Sequence, residues 1–203
     1  MEQFTNQVIL RGALAALPEF SHENHGRQFY RFCLEVPRLS GTIDLLPVIS
    51  EDRVLHSFDL SQGSMLTVTG QVRSHNLYEN AKRRLLIFVF ATSITAEEGD
   101  PINEVIIEGS VCREPTYRRT PLGREICDIM LAVPRAFHRA DYLPCILWGR
   151  TAQKGAQLHT RDQICIQGRL QSRTYTKMTE TGPEERIAYE ISALSVQLPE
   201  DLL

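Results

Sequence analysis

The sequence contains no apolar stretch long enough to enter a membrane. Its longest apolar run near the N-terminus is Ala13-Leu-Ala-Ala-Leu17. A spanning helix needs roughly 20 such residues and a signal-peptide core roughly 7–15, so no membrane role and a cytoplasmic location are expected. Cysteine pairs are missing too. Cys33, Cys112, Cys127, Cys145 and Cys165 are odd in number and never fall in a C-x-x-C spacing, which removes the usual sulfur metal sites and dithiol redox motifs. Each lies among apolar neighbours, as in Ile164-Cys165-Ile166, and reads as a small core residue in a reducing compartment. Catalytic signatures are equally lacking: there is no Gly-rich phosphate loop, no G-x-S-x-G and no H-E-x-x-H. His22, His25, His56, His75, His138 and His159 are scattered in polar surroundings. Adjacent acids such as Glu97-Glu98 and Glu184-Glu185 sit in polar stretches where solvation accounts for them. The chain reads as a non-enzyme that needs no cofactor and no metal.

A strong excess of positive charge is also absent. The formal net charge is −3, which argues against indiscriminate binding of polyanions but leaves room for a local basic groove. The first 100 residues hold nine Lys/Arg against twelve Asp/Glu, and the remainder hold thirteen against thirteen. The basic character is therefore concentrated in the second half.

What the sequence does hold is an internal repeat. At an offset of 97 residues, Asn6-Gln-Val-Ile-Leu-Arg-Gly12 lies on Asn103-Glu-Val-Ile-Ile-Glu-Gly109, and Gly26-Arg27 on Gly123-Arg124. Leu34-Glu-Val-Pro-Arg38 matches Leu131-Ala-Val-Pro-Arg135, and Asp44-Leu-Leu-Pro47 matches Asp141-Tyr-Leu-Pro144. Fifteen of forty-four positions agree over residues 6–49 without a gap, far beyond chance. A one-residue shift then aligns Leu60 with Leu158, Gly70 with Gly168 and Ser74 with Ser172. Two units of this length are two small domains rather than a solenoid, assigned to residues 1–98 and 102–198. The join, Ala96-Glu-Glu-Gly-Asp-Pro101, has turn composition and is too short to let the domains roam, so they are expected to pack as one body.

Each unit reads as five strands with one helical interruption. In the second, Val105–Val111, Ile126–Val133, Leu143–Trp148, Ile164–Leu170 and Ile187–Val196 carry the apolar or alternating patterns of strands. Pro144 points to an edge or bulge. Gly149–Leu158 suits a short helix, and Thr174–Glu185 reads as a polar loop. Five strands with a helix between the third and fourth describe a Greek-key barrel of the OB type. The fold class expected is therefore all-β: two tandem OB-folds, each with a short helix between strands 3 and 4.

The second unit then resembles a known family. Asn103–Gly109, Glu114-Pro115, Leu131–Arg135, Asp141-Tyr-Leu-Pro-Cys-Ile-Leu-Trp-Gly149 and Ile166-Gln-Gly-Arg-Leu-Gln-Ser-Arg-Thr-Tyr175 are similar, in order, to bacterial single-stranded-DNA-binding proteins. The first unit resembles them more weakly. The resemblance implies an OB-fold that takes single-stranded DNA across its strand face and long hairpins. It also implies assemblies of four OB-folds, so two per chain suggests a homodimer, with first strands such as Asn103–Gly109 as its pairing edge. Family members carry a Gly/Gln/Pro-rich tail with an acidic tip; the ending here is Leu198-Pro-Glu-Asp-Leu-Leu203, which puts tail-mediated recruitment of protein partners in doubt.

A sequence-tolerant single-strand binder needs flat rings on which bases stack and cations that follow the phosphates. Tyr142, Trp148 and Tyr175 fall where the family places stacking aromatics, with Phe137 as a fourth candidate. Arg118, Arg119, Arg124, Arg135, Arg150, Arg173 and Lys177 are interleaved with them. Neither stacking nor phosphate contact requires DNA, so RNA is a second candidate ligand. In the first unit Leu45 replaces Tyr142, Glu51 replaces Trp148 and Ser40 replaces Phe137. Tyr78 is matched with Tyr175, and Arg73 and Lys82-Arg83-Arg84 remain as cations. The first unit is thus expected to bind weakly or to serve assembly. The competing reading is an OB-fold accessory protein of replication restart or of a mobile element, working mainly through protein contacts.

Overall fold

A computed structural model describes residues 5–55, 60–79, 82–179 and 182–198. The side chains of Glu79, Lys82 and Arg83 lie outside the described set. In the first repeat the elements are β1 (Asn6–Leu14), β2 (Glu19–Asn24), β3 (Arg27–Pro37), β4 (Ile43–Glu51), α1 (Asp52–Leu55), β5 (Met65–Glu79) and β6 (Lys82–Ala96). The second repeats that order as β7 (Ile102–Val111), β8 (Thr116–Arg119), β9 (Glu125–Arg135), β10 (Arg139–Trp148), α2 (Arg150–Gly155), β11 (Gln163–Thr179) and β12 (Gly182–Gln197). Among the described residues no helix is long and apolar enough to cross a membrane.

Each repeat is a five-stranded barrel with one short edge strand added. In the first, β1 pairs with β5, β5 with β6, β6 in parallel with β4, β4 with β3, and β3 returns to β1. The second closes in the same way through β7, β11, β12, β10 and β9. Strict alternation drives this closure: Val8, Leu10 and Leu14 point inward from β1, and Leu143, Cys145 and Leu147 from β10. Closure needs Gly12 and Gly109, because a Cβ at either would run into the backbone carbonyl of Glu35 or Ala132 on the strand that seals the barrel. All five cysteines are free, three of them buried and two half-buried.

The repeated Asn has a local role. Asn103 donates to the Leu170 carbonyl at 2.7 Å and accepts from the Leu170 amide at 2.9 Å. Asn6 makes the same pair with Val72. Each side-chain amide thus stands in for a missing backbone partner where the long strand bends away from the first strand.

Three expectations change. The polar stretch Thr174–Glu185 is not a loop: β11 and β12 stay paired through Tyr175↔Arg186 and Lys177↔Glu184 out to Thr179↔Gly182. Its composition follows from solvent on both faces rather than from irregular backbone. The sixth strand of each repeat, β2 or β8, is exposed or nearly so along its length and therefore lacks the apolar period that marks a strand. The first strands, expected as the edge between two chains, pair with each other inside one chain. Asn6↔Ile107 through Arg11↔Ile102 form an antiparallel ladder, with Val8 opposite Val105, its own counterpart in the repeat. A pseudo-twofold axis passes there, and the ladder covers an edge that each barrel alone would leave open.

Two carboxylates reinforce this seam. Asp44 is fully buried and accepts from Arg38 Nε at 2.7 Å and Nη2 at 2.6 Å. It also accepts from the Ser172 amide at 2.7 Å and hydroxyl at 3.0 Å, across the axis. Its counterpart Asp141 accepts from the Ser74 amide at 2.7 Å. Burial pushes the Asp44 carboxyl up, but the Arg38 and Ser172 hydrogen bonds and the Arg38 charge outweigh it and hold the group below its ordinary value. A lowered folded-state pKa adds stability that is fully present above the unfolded value of about 4 and is lost as pH falls through the folded one. The melting temperature is therefore expected to be flat down to about pH 5 and to drop below about pH 4, with a shallower drop in Asp44→Asn. Identical acid slopes for the two proteins would clear Asp44 of this role.

Candidate nucleic-acid interface

On β10 the residues between the core positions, Tyr142, Pro144, Ile146 and Trp148, face outward from the barrel. Cross-strand register carries that face over the sheet, because directly opposed residues share a side. Trp148 lies opposite Ile126 and Ile126 opposite Arg118. Ile146 lies beside Ser192, Ser192 opposite Arg169, Glu190 opposite Gln171, and Arg186 opposite Tyr175. Tyr142, Trp148, Tyr175, Arg118 and Arg173 thus belong to one face, although Tyr142 and Trp148 stand ~20 Å apart along the strand.

Part of this face is a groove of about 890 Å³. Trp148 is half-buried in it, with Nε1 donating to Ser192 Oγ at 3.2 Å. Arg118, Arg124, Arg169 and Arg173 line the walls, joined by Arg38 and Ser40 from the first repeat. Arg38 and Arg169 were not among the sequence candidates. Arg169 could have been suspected from its place in Ile166-Gln-Gly-Arg-Leu; Arg38 enters only because the pseudo-twofold brings the first repeat's β3–β4 turn here. Several arginines already hold carboxylates: Arg118 with Asp128 at 2.7 Å, Arg173 with Glu190 at 3.8 Å, and Arg119 with Glu125 at 3.1 Å. The Arg118 and Arg119 pairs are exposed, and pairs of that kind contribute roughly 0–1 kcal/mol, so a phosphate can take over either arginine at small cost. Arg119 points to the opposite side of β8, and Arg150 is exposed at the start of α2.

Other candidates gather elsewhere. Arg135 reaches Asp141 at 3.3 Å, and Arg73 of the first repeat reaches the same carboxylate at 3.8 Å. Arg73 keeps only 19% of its side-chain surface and lies over the Phe90 ring at 5.6 Å, which makes it a seam residue. Burial and the neighbouring Arg135 charge depress its pKa, while Asp141 opposes them. Arg135, at 32% exposure, is more open. Two guanidiniums share this one carboxylate, so the cluster retains positive charge. Phe137 is 91% exposed at the tip of the adjoining turn, with φ of 61°, where the first repeat has Gly41 one position on at φ of 84°. A non-glycine residue in this left-handed region is strained, and here the strain holds a bare ring in solvent. Tyr175 lies under the Arg173 guanidinium, 5.6 Å from the ring centre. With Lys177, Arg84 and Arg186 it lines a second groove of about 710 Å³ over the first repeat, floored by Leu45, Pro47, Ile49, Leu86 and Phe88.

The first repeat has redistributed its rings. Glu51, in the place of Trp148, is held by Arg53 at 3.0 Å and Arg27 at 3.6 Å. Phe29 takes the place of Ile126 and Phe90 that of Ser192, and His22 stacks on Phe29 at 4.8 Å. The match of Tyr78 with Tyr175 does not hold. With Gly70 and Gly168 aligned at their bulges, Tyr175↔Arg186 corresponds to Leu77↔Arg84. Tyr78 falls one residue further, on the other face, 72% exposed. The one-residue shift that aligns Gly70 with Gly168 and Ser74 with Ser172 already puts Leu77, not Tyr78, at the place of Tyr175. Lys82 and Arg83 lie outside the residues whose side chains are described.

Comparison with known proteins places these features. A profile of the Single-strand binding protein family matches residues 102–199, the repeat that holds Trp148. Single-stranded DNA-binding protein B of Bacillus subtilis (strain 168) is 32% identical over 80 residues, covering 36% of this chain and 71% of that protein. The chain belongs to the single-strand binding protein family. Single-stranded DNA-binding protein A of the same organism is 32% identical over 107 residues, 49% of this chain and 60% of that protein, so the chain spans about three fifths of its length. The wild-type single-stranded DNA binding protein from Thermus aquaticus superimposes with a TM-score of 0.79 at 23% identity, over 98% of this chain and 94% of that one. It shares the fold, two OB-folds in tandem.

Proposed function

We propose that this chain binds single-stranded DNA without regard to sequence and protects it during replication, recombination or repair. The observation that carries this is the groove around Trp148, where an indole ring and five arginines, one of them from the first repeat, line one cavity. Arg173 and Tyr175 extend that face toward the seam, where Arg135, Phe137 and Tyr142 supply a cation and two more rings. Residues 102–198 carry the main binding face, and residues 1–98 contribute Arg38, Ser40 and a weaker face of their own. Single-stranded RNA meets the same requirements. Two chains would supply four OB-folds, and since β1 and β7 occupy each other, a homodimer has to use another surface. The setting proposed is the cytoplasm.

Trp148 is the sole tryptophan, so its fluorescence reports the groove directly. Oligo(dT) is expected to quench it, with duplex DNA far less effective. Each neutralised phosphate should add roughly 0.7 to the slope of log affinity against log salt. No quenching at low salt, with no mobility shift, would refute the proposal. The second reading, a protein-contact module, draws on one observation: the groove of about 710 Å³ with its floor of Leu45, Pro47, Ile49, Leu86 and Phe88 occupies the first repeat's equivalent of the binding face.

A further inference from the structure

A carboxylate stands in the basic groove. Glu190 projects from β12 among Arg38, Arg118, Arg169 and Arg173, its side chain only 11% exposed, and that remnant faces the groove. Oε1 accepts from Gln171 Nε2 at 2.8 Å. Oε2 is 3.8 Å from Arg173 Nε, too far for a hydrogen bond, so it retains capacity to accept. In a groove for a polyanion this group repels phosphate, and it stands beside Ser192, the residue that anchors the Trp148 indole.

We infer that Glu190 meets the base rather than the backbone, and that it makes the groove prefer cytosine, which carries an exocyclic amine, over thymine. This rests on the single-strand reading above and adds a preference to sequence-tolerant binding. A base stacked on Trp148 turns its edge toward the groove floor. Cytosine offers an N4 amine that donates to a carboxylate, and its N3 and O2 accept from a neighbouring guanidinium such as Arg173. Thymine carries carbonyl oxygens on both sides of N3–H, so its O4 would oppose Oε2 where cytosine donates. The two pyrimidines are of similar size, so stacking alone would treat them nearly alike. The first repeat lacks the device: by strand register Phe88 takes the place of Glu190 and Arg73 that of Gln171.

The test is the affinity of the full chain for labelled oligo(dC) and oligo(dT) of equal length, at slightly alkaline pH, for the wild type and Glu190→Gln. A charge-assisted hydrogen bond to one base is worth about a tenfold difference, so the wild type is expected to bind oligo(dC) about tenfold tighter. Glu190→Gln, whose amide both donates and accepts, should bring the ratio close to one, mainly by improving oligo(dT). Equal affinities in the wild type would overturn the inference without any variant. So would a Glu190→Gln protein that shifts both affinities equally, which would leave Glu190 only tuning the arginine charge. Failure to bind either oligonucleotide would remove the single-strand reading itself.

Discussion

Replacing Asp44 with alanine is expected to lower the unfolding free energy by about 3–5 kcal/mol, the usual result of removing one partner of a buried ion pair. Asp44 is fully buried and its two oxygens take four donors, from Arg38 and from Ser172. Without it, Arg38 keeps only 18% of its side-chain surface in water and loses its counter-charge, although Nη2 still reaches the Ser172 carbonyl at 2.8 Å. The Ser172 amide and hydroxyl lose their acceptor as well. Because Ser172 belongs to the other repeat, the damage should appear as a loss of joint unfolding. Chemical denaturation of the wild type should show one transition, and Asp44→Ala should show an earlier transition or two separate ones. A change under about 1 kcal/mol would mean that the β1–β7 ladder alone holds the repeats together. Coupling between Asp44→Ala and Ser172→Ala in a double-mutant cycle would assign the loss to this contact.

The second large effect is on binding. Trp148→Ala is expected to weaken oligo(dT) binding by about 10–100-fold, since stacking one base on an aromatic ring is worth roughly 1–3 kcal/mol. Polarisation of a labelled oligonucleotide reads this without the lost fluorophore. Trp148→Phe keeps a flat face but not the Nε1 bond to Ser192, so it should fall between the wild type and the alanine variant. Equal losses in the two variants would assign the effect to packing around Ser192 rather than to stacking. An unchanged affinity in Trp148→Ala would move the function to the apolar groove over the first repeat.

Much of this molecule can be read from residue order. Alternation of period two places Leu143, Cys145 and Leu147 inward and Tyr142 and Trp148 outward, because a strand decides the side of each residue locally. The internal repeat implies two like barrels, and the short join implies that they pack together. Composition misleads where both faces of a strand meet water, as along Thr174–Thr179 and in β8, since without burial there is no apolar period to detect. The offset of 97 read from the well-matched first forty-four positions also fails before β5, where one extra residue in the second repeat puts Leu77 rather than Tyr78 at the place of Tyr175.

Only the tertiary structure decides which repeat a side chain serves. Arg38 is a first-repeat residue that walls the second repeat's groove, and Arg135 is a second-repeat residue held at the seam with Arg73. The cause is the antiparallel union of β1 with β7, which sets the β3–β4 turn against β11 and the β9–β10 turn against β5. A contact between residues more than a hundred positions apart leaves no mark on the local pattern of either. Alternation is a property of neighbours along the chain, whereas a groove is made by residues that only the packing of the two barrels brings together.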